Sequence, residues 1–394
     1  MVFLRSLLFV LCLLCMELQA KPLTLNVEAE AAILMNADTG VILYEKQAHT
    51  LHYPASITKI ATASYALKVA GNKLDQIIAA DQDSVASISE EARKKSKYTV
   101  PAYWLIPGGS HIGIKKDEEL SLKDLLYGTL VASGNDAANV IAQYVGGTIP
   151  QFMKELNQYL QEIGCQHTTF YNPHGLFHPK HQTTAYDMAL VMCEALKNPT
   201  FCEMISTVRY TRPKTNKQES TVLLQTNKLI RKGQYNYPKA IGGKTGYLSA
   251  AGYTLVVAAE HEGRTLIAVL LGCNDSNERF SEAIKMFEAA YTQPKVQRIL
   301  LRKGSQKFTL DLDGASSSIS TYIKDDLILD YYSAEEPSIK CLLYWAKLHP
   351  PIAKDQPVGE IHIINSEGTP LQKATLFADS DVSATWFWRL RHPF

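Results

Sequence analysis

The stretch GYTLVVAAEHEGRTLIAVLLGC, residues 252–273, constrains the fold of this chain more than any other. Two apolar runs flank a polar turn at 260–263, the pattern of a β-hairpin. Far upstream, AAILMNADTGVILYE at 31–45 reads as two more strands around a turn at Asp38, Thr39 and Gly40. Between these strand regions the hydrophobic period is helical. Strand, then helices, then strands predicts an α+β domain, with helices packed on an antiparallel sheet, ending near residue 292.

The helical blocks carry their own punctuation. After Pro54, the residues Ile57, Ile60, Ala61, Ser64, Tyr65 and Lys68 recur at three and four. Ser121 is a helix cap with Asp124 three residues on, and Ser133, Gly134 and Asn135 interrupt the helical run that follows. Pro150 opens a further helix, with Phe152, Met153, Leu156, Leu160 and Ile163 on one side, that stops at Gly164. Thr184 and Asp187 frame another helix start, and residues 82–110 are polar and irregular. From about residue 295 the pattern alternates. In KFTLDLDG, Phe308, Leu310 and Leu312 point one way and Thr309, Asp311 and Asp313 the other. The expected organisation is therefore a segment at 1–20, an α+β domain at 21–292, a small β domain at 293–378 and a tail at 379–394.

Residues 1–20 hold one charge, Arg5, an apolar run and then Ala20, the form of a secretory signal peptide. The five cysteines beyond it, Cys165, Cys193, Cys202, Cys273 and Cys341, lack the spacing of a zinc site or a disulfide scaffold; the number allows one disulfide, and most are expected as buried thiols. A formal net charge of +1 argues against a nucleic-acid partner. The basic clusters at 93–97 and 209–217 read as solvated surface. In the tail, DVSATWFWRLRHPF, aromatic rings alternate with Arg389 and Arg391 and suit a lipid headgroup interface, with Val382, Trp386 and Leu390 on one helical face.

Three short motifs follow one another in order: Ser56-Ile57-Thr58-Lys59, Ser133-Gly134-Asn135 and Lys244-Thr245-Gly246. The first pattern arises by chance about once or twice in a chain of this size, and each tripeptide in roughly one chain in ten. The ordered trio is far rarer. On a helix, positions i and i+3 lie about 60° apart around the axis and about 4.5 Å along it, so Lys59 reaches the Ser56 hydroxyl. To accept its proton, Lys59 must be neutral. That requires a fall of about three pKa units, ~4 kcal/mol, from the ordinary lysine value. Burial beside a second cation achieves this, and Lys244 is the candidate neighbour. Ser133, at an inter-helix turn, can relay a proton to a departing amine, and Asn135 can hydrogen-bond a substrate peptide group. Lys244 and Thr245 are expected at the start of the hairpin's first strand. Gly246 is expected to leave room for a peptide lying along that strand as an added one. The backbone N–H groups of Ser56 and Tyr247 form a candidate oxyanion hole.

With YPASITKIATA, SGNDAANVIA, NPHGL, TTAYDMA, GGKTGYLSAAGYTLV and ERFSEAIKMF, the chain resembles the serine D-alanyl-D-alanine carboxypeptidases, the low-molecular-mass penicillin-binding proteins. The resemblance implies Ser56 as acyl-enzyme nucleophile, Lys59 as base and Ser133 as third catalytic residue. It implies Asn135, Lys244, Thr245, Gly246 and Tyr247 in substrate binding, and Arg279 as a clamp for the substrate's terminal carboxylate. It further implies a peptidoglycan stem peptide ending in D-Ala-D-Ala as substrate, β-lactam antibiotics as acylating inhibitors, and no cofactor. The location implied is the periplasm, with peripheral attachment to the inner membrane through the tail. Tyr247 and Tyr186 depart from the histidine and arginine found at the matching places in some members, which bears on substrate preference and deacylation.

Competing expectations are fewer. A DD-endopeptidase on cross-linked peptides would use the same trio. A class A β-lactamase places a glutamate four residues before an asparagine, whereas here Glu155 stands only two before Asn157 and Met153 holds the needed place. A non-catalytic wall-binding protein is opposed by the intact trio. His174, His178 and His181 have ligand-like spacing, but Pro173, Gly175 and Pro179 break any helix there, so no metal is expected.

Overall fold

The computed structural model describes residues 21–366 and 368–392; the expected signal peptide at 1–20 lies outside them. The chain divides into two units, one at Leu23–Thr292 and one at Gln293–Phe394 with the described residues 21–22. The first begins with β1 (Ala31–Asn36), β2 (Ile42–Lys46), α1 (Thr58–Ala70), β3 (Ile77–Ala79), α2 (Glu90–Lys95), β4 (Glu119–Ser121), α3 (Leu122–Leu130), α4 (Asn135–Gly146) and α5 (Ile149–Glu162). It continues with α6 (Ala185–Leu196), α7 (Pro199–Ser206), β5 (Arg209–Arg212), β6 (Thr221–Leu224), β7 (Ala240–Leu248), β8 (Gly252–His261), β9 (Arg264–Cys273) and α8 (Glu278–Tyr291).

Five of these strands form one antiparallel sheet in the order β2-β1-β9-β8-β7. The hairpin at 252–273 is β8–β9, paired from His261 with Arg264 inward. Its strands read as continuous apolar runs because both faces are covered. Ile267, Val269 and Leu271 of β9 join the core that contains Met188 and Met192 of α6. The alternate residues Leu266, Ala268 and Leu270 are equally buried, and α8 packs on β8 and β9 through Phe280, Phe287 and Ala290.

α1 differs from its expected form. The spacing of Ile57, Ile60 and Ala61 reads as a one-sided helix, yet α1 is buried on nearly all sides, polar Thr58, Lys59, Thr62 and Ser64 included. It runs through the centre of the helical layer against α3, α4, α5, α6 and α7. The predicted caps are in place. Ser121 Oγ accepts from Asp124 N and Thr184 Oγ1 from Asp187 N; Pro150 stands in the first turn of α5, whose cap, Thr148, the sequence reading did not single out.

The two basic clusters are not wholly solvated. Arg93 is 2% exposed and donates to the carbonyls of Ala102 (3.1 Å) and Trp104. Arg212 is buried beside the equally buried Glu118, 3.7 Å away, and donates to Glu219 O. In each case the guanidinium ties together backbone that no regular ladder satisfies.

The second unit contains β10 (Lys295–Leu301), β11 (Gly304–Leu310), β12 (Ile319–Ile323), β13 (Leu327–Tyr332), β14 (Ile339–Trp345), β15 (Pro357–Asn365), β16 (Pro370–Ala378) and α9 (Trp386–Arg391). A five-stranded sheet, β11-β12-β16-β15-β14, and the β10–β13 pair enclose a core of Ile319, Ile323, Ile352, Val358, Ile361, Leu376 and Val382. Val382 therefore leaves the helical face expected for it in the tail: it is buried and bridges Ile352. Trp388 also turns inward, so close to Gly314 that no Cβ fits there. What projects from α9 is Trp386, Phe387 and Leu390, 68%, 73% and 61% exposed.

Candidate active site

Ser56 sits in a 3-10 turn, Ala55–Ile57, that leads directly into α1, with Lys59 in the first helical turn. Ala55 holds the left-handed conformation, φ +52°, costly for a residue with a Cβ. The turn is pinned from two sides. Thr254 Oγ1 of β8 donates to Pro54 O at 2.9 Å. From the other side, the loop after α5 comes so close that a Cβ on Gly175 would lie 1.8 Å from Ala55 O. Gly175 is itself at φ +90°.

The Lys59 amine is fully buried and lies within hydrogen-bond distance of three oxygens: Ser56 Oγ (3.0 Å), Asn135 Oδ1 (2.7 Å) and His174 O (2.7 Å). Its pKa is held well below the ordinary lysine value, first by burial and then by the charge of Lys244; the Asp136 carboxylate opposes this. Lys244, also fully buried, donates to Thr245 O at 2.8 Å and is pushed down to about 7 by burial and by Arg279. The expected crowding of cations around Lys59 is present, extended by a third cation behind Lys244.

Ser133 lies in the connection between α3 and α4, also left-handed at φ +62°, and is nearly buried. Its hydroxyl takes no hydrogen-bond partner among the described residues, which leaves it free for a ligand. Asn135 spends its carbonyl on Lys59, so only its amide N–H groups remain for a substrate.

Lys244, Thr245 and Gly246 are not at the start of the hairpin. They lie in mid-strand on β7, a separate strand at the edge of the sheet. Gly242 and Gly243, just ahead of Lys244, already belong to the strand and are paired with Ala258 and Val257 of β8. Gly246 also has another reason than room for a peptide: a Cβ there would come within 2.4 Å of Thr254 Oγ1, 2.9 Å of Ser56 N and 3.0 Å of Pro54 O. The missing side chain lets the turn that carries Ser56 dock on β7. Thr245 donates to Thr226 at 2.7 Å, and Tyr247, 53% exposed, stacks on Tyr253 with centroids 4.4 Å apart.

Arg279, in the first turn of α8, donates through Nη1 to Gly246 O (2.7 Å) and Thr254 O (3.1 Å), and through Nε to Ser276 O (3.1 Å). Burial lowers it to about 10, and it still carries its charge at neutral pH. No carboxylate among the described residues lies within ion-pair distance of it.

Sequence reasoning missed the loop at 172–176. Read only as loop histidines, this region supplies Pro173 O to Thr62 Oγ1 (2.7 Å), His174 O to Lys59 and the close approach of Gly175. The His174 ring is buried against Tyr103 O (3.0 Å) and Leu176 N (3.2 Å), and burial and then Lys59 hold its pKa well below the usual value. His181 bonds Thr58 Oγ1 at 2.9 Å. Asp136 is a second omission: its carboxylate accepts from the backbone N–H of Ile112, Gly113 and Ile114 and faces Lys59 electrostatically. Asn157 bonds the backbone of Met153 and Phe170, and Glu155 the Tyr65 hydroxyl, so neither serves the nucleophile. Among the described residues no three His, Cys, Asp or Glu side chains form a metal site, and the five cysteines are free.

A serine at the head of a central helix, a buried lysine on its hydroxyl and an edge strand alongside define a serine acyl-transfer enzyme on a helix-covered antiparallel sheet. Solved structures share the fold. Penicillin-binding protein 5 from Haemophilus influenzae matches at 24% identity with a TM-score of 0.62, over 91% of this chain and 99% of that one. Penicillin-binding protein 6B from Escherichia coli matches at 25% and 0.62, over 90% and 96%. The family model described as D-alanyl-D-alanine carboxypeptidase, peptidase S11, matches residues 17–275. The relative named D-alanyl-D-alanine carboxypeptidase DacF in Bacillus subtilis is 31% identical over 91% of this chain and 87% of its own length. DacD of Salmonella typhimurium is 29% identical over 93% and 90%. The chain belongs to the D-alanyl-D-alanine carboxypeptidase family, and is a serine-type hydrolase of the low-molecular-mass penicillin-binding class.

Proposed function

We propose that Ser56 is the nucleophile of this carboxypeptidase, Lys59 its general base and Ser133 the carrier of a proton to the leaving group. The observation that carries this is the surroundings of the Lys59 amine. A neutral amine has two N–H bonds and one lone pair. Asn135 Oδ1 and His174 O can only accept, so they take the two N–H bonds, and the lone pair is left for the Ser56 hydroxyl. Burial and the charge of Lys244 favour that neutral form.

Ser56 passes its proton to Lys59 as Oγ bonds to the carbonyl carbon of the penultimate D-alanine. The backbone N–H groups of Ser56 and Tyr247 meet the developing oxyanion. As the C–N bond breaks, Ser133 gives its proton to the departing D-alanine amine and receives one from Lys59. Water then cleaves the ester and restores the serine. The terminal carboxylate is met by Thr245, by the charge of Lys244 and by the Nη2 face of Arg279 that the backbone carbonyls leave free. A β-lactam acylates Ser56 by the same first step. Residues 1–20 direct export to the periplasm, and the projecting rings of α9 rest at the inner-membrane surface beside Arg389 and Arg391.

Mass spectrometry of the full chain mixed with a penicillin, followed by peptide mapping, tests the assignment. One adduct on Ser56 is expected in the native protein, and none in a folded Lys59→Ala variant. An adduct elsewhere, or native-rate labelling of the variant, overturns it.

A further inference from the structure

Asp136 follows Asn135 in the first turn of α4 and is 2% exposed. No lysine, arginine or histidine among the described residues lies within ion-pair distance of its carboxylate. Four backbone N–H groups surround it instead. Oδ1 accepts from Ile112 (3.0 Å) and Ala137 (2.9 Å), and Oδ2 from Gly113 (2.8 Å) and Ile114 (2.9 Å). Every one of these partners is a donor, so an acid proton on either oxygen would face an N–H. The side chain fits its place as a carboxylate, an acceptor only.

The donors at 112–114 belong to a segment that also receives the active-site turn. Asn135 N donates to Ser110 O at 2.8 Å, and Gly134 N to Gly128 O at 2.9 Å. Ser133 precedes them in its left-handed conformation. A Cβ on Gly134 would lie 3.0 Å from Asp136 Oδ1 and 3.2 Å from Gly128 O, so the turn closes tightly on the carboxylate. Lys59 meets the same turn at Asn135 Oδ1, 2.7 Å away. The other groups that act on its amine are cationic or neutral. Lys244 of β7, backed by Arg279 of α8, is the cation. The His174 and His181 rings of the adjoining loop are held uncharged, first by burial. Asp136 is the acid that opposes the cations.

When Ser56 gives up its proton, the fully buried Lys59 becomes an ammonium among cations, a form that needs a counter-charge. We propose that Asp136 is a positioning residue of the reaction: it shapes the turn that carries Ser133 and Asn135, and its fixed negative charge balances the ammonium form of Lys59 as the acyl-enzyme forms. This role rests on the reading of Lys59 as general base and adds to it the group that keeps the lysine basic enough to take the proton. Without the charge Lys59 is a weaker base, and proton transfer from Ser56 is slower even where the amine is wholly neutral.

The second-order rate constant for acylation of the full chain by a penicillin, followed against pH, tests this role. In the native protein it rises as Lys59 loses its proton. Asp136→Asn and Asp136→Ser both remove the charge, and the serine turns no amide N–H toward the donors at 112–114. In these variants the acid limb should move to lower pH by about half a unit or more, and the plateau should fall about tenfold or more. Asp136→Glu keeps the charge and should hold the limb near its native position even where the plateau falls. A limb unmoved in the neutral variants, or displaced equally in Asp136→Glu, overturns the role of the charge and leaves Ser56 and Lys59 as assigned. Loss of cooperative unfolding in both neutral variants reduces the residue to a structural tie and also overturns it. Native-rate acylation of Lys59→Ala overturns the base assignment and the role of Asp136 with it.

Discussion

Arg279 donates one Nη1 hydrogen bond to the carbonyl oxygen of Gly246 at 2.7 Å, the residue that lies against the backbone of Ser56. The guanidinium expected to meet a substrate carboxylate is thus also a strut between α8 and strand β7. Its second carbonyl partner, Thr254 O, belongs to β8, so one side chain spans the two strands behind the substrate edge. Scaffolding and the proposed carboxylate binding thus fall to the same group.

Replacing Arg279 should therefore act twice. Arg279→Ala leaves three backbone carbonyls, those of Gly246, Thr254 and Ser276, without their charged donor, at a cost of about 1–3 kcal/mol. It also removes the proposed carboxylate clamp, so kcat/KM for peptide should fall about a hundredfold or more, while acylation by a penicillin falls less. Arg279→Lys should recover most of the stability but little of the peptide turnover, because an ammonium lacks the fork. Thermal unfolding alongside peptide and penicillin kinetics reads the split. Equal losses for both ligands would reduce the residue to a strut.

Gly246→Ala probes the docking of the nucleophile turn. The added methyl would meet Thr254 Oγ1, Ser56 N and Pro54 O, two of them backbone atoms that cannot swing away. Overpacking of this kind costs about 1–3 kcal/mol. The strain falls on Ser56, so penicillin acylation should drop by orders of magnitude in a protein that still unfolds cooperatively. Native-rate acylation would show that the turn tolerates displacement.

The sequence carried the parts of this site that side chains announce. Ser56 and Lys59 are close because one helical turn makes them so, and the need for a neutral lysine pointed to a second buried cation, found as Lys244. The α+β order and the caps at Ser121 and Thr184 were legible for the same local reasons. The rest depended on backbone atoms or on partners distant in the chain. His174 acts on Lys59 through its carbonyl, which every residue type possesses. Arg93 reads as one of several surface cations because its partners are backbone carbonyls, and Arg212 because Glu118 lies in another segment. Val382 fits a helical face by spacing, but a β-bridge to Ile352 claims it first.

The projecting end of α9 gives a prediction about the membrane. Trp386, Phe387 and Leu390 expose three large apolar groups on one short helix, with Arg389 and Arg391 in its last turn. Apolar area of this order and two cations favour an anionic lipid surface. Co-sedimentation with vesicles containing phosphatidylglycerol should fall about tenfold or more in a triple serine variant of the three, with turnover of a soluble peptide unaffected. Undiminished sedimentation would assign membrane contact to another surface.

The pH dependence expected on the proposed mechanism follows from two lysines with opposite duties. Lys59 works as a base only when neutral. Its pKa lies well below the ordinary value, so activity rises as pH climbs through that lowered pKa. Lys244 serves only when charged, toward Lys59 and toward the substrate carboxylate, and its pKa lies at about 7 in the free enzyme. Raising the pH through that value discharges it, so kcat/KM for a peptide with a free carboxylate should decline on the alkaline side. A bound carboxylate favours the charged lysine, so the decline in kcat should come at higher pH than that in kcat/KM. In Lys244→Arg the second cation does not titrate below about pH 12, and the alkaline limb should move up by more than about one unit even if the maximum is lower. An alkaline limb unmoved by Lys244→Arg would place that ionisation on another group and leave Lys244 a binding charge that stays protonated throughout.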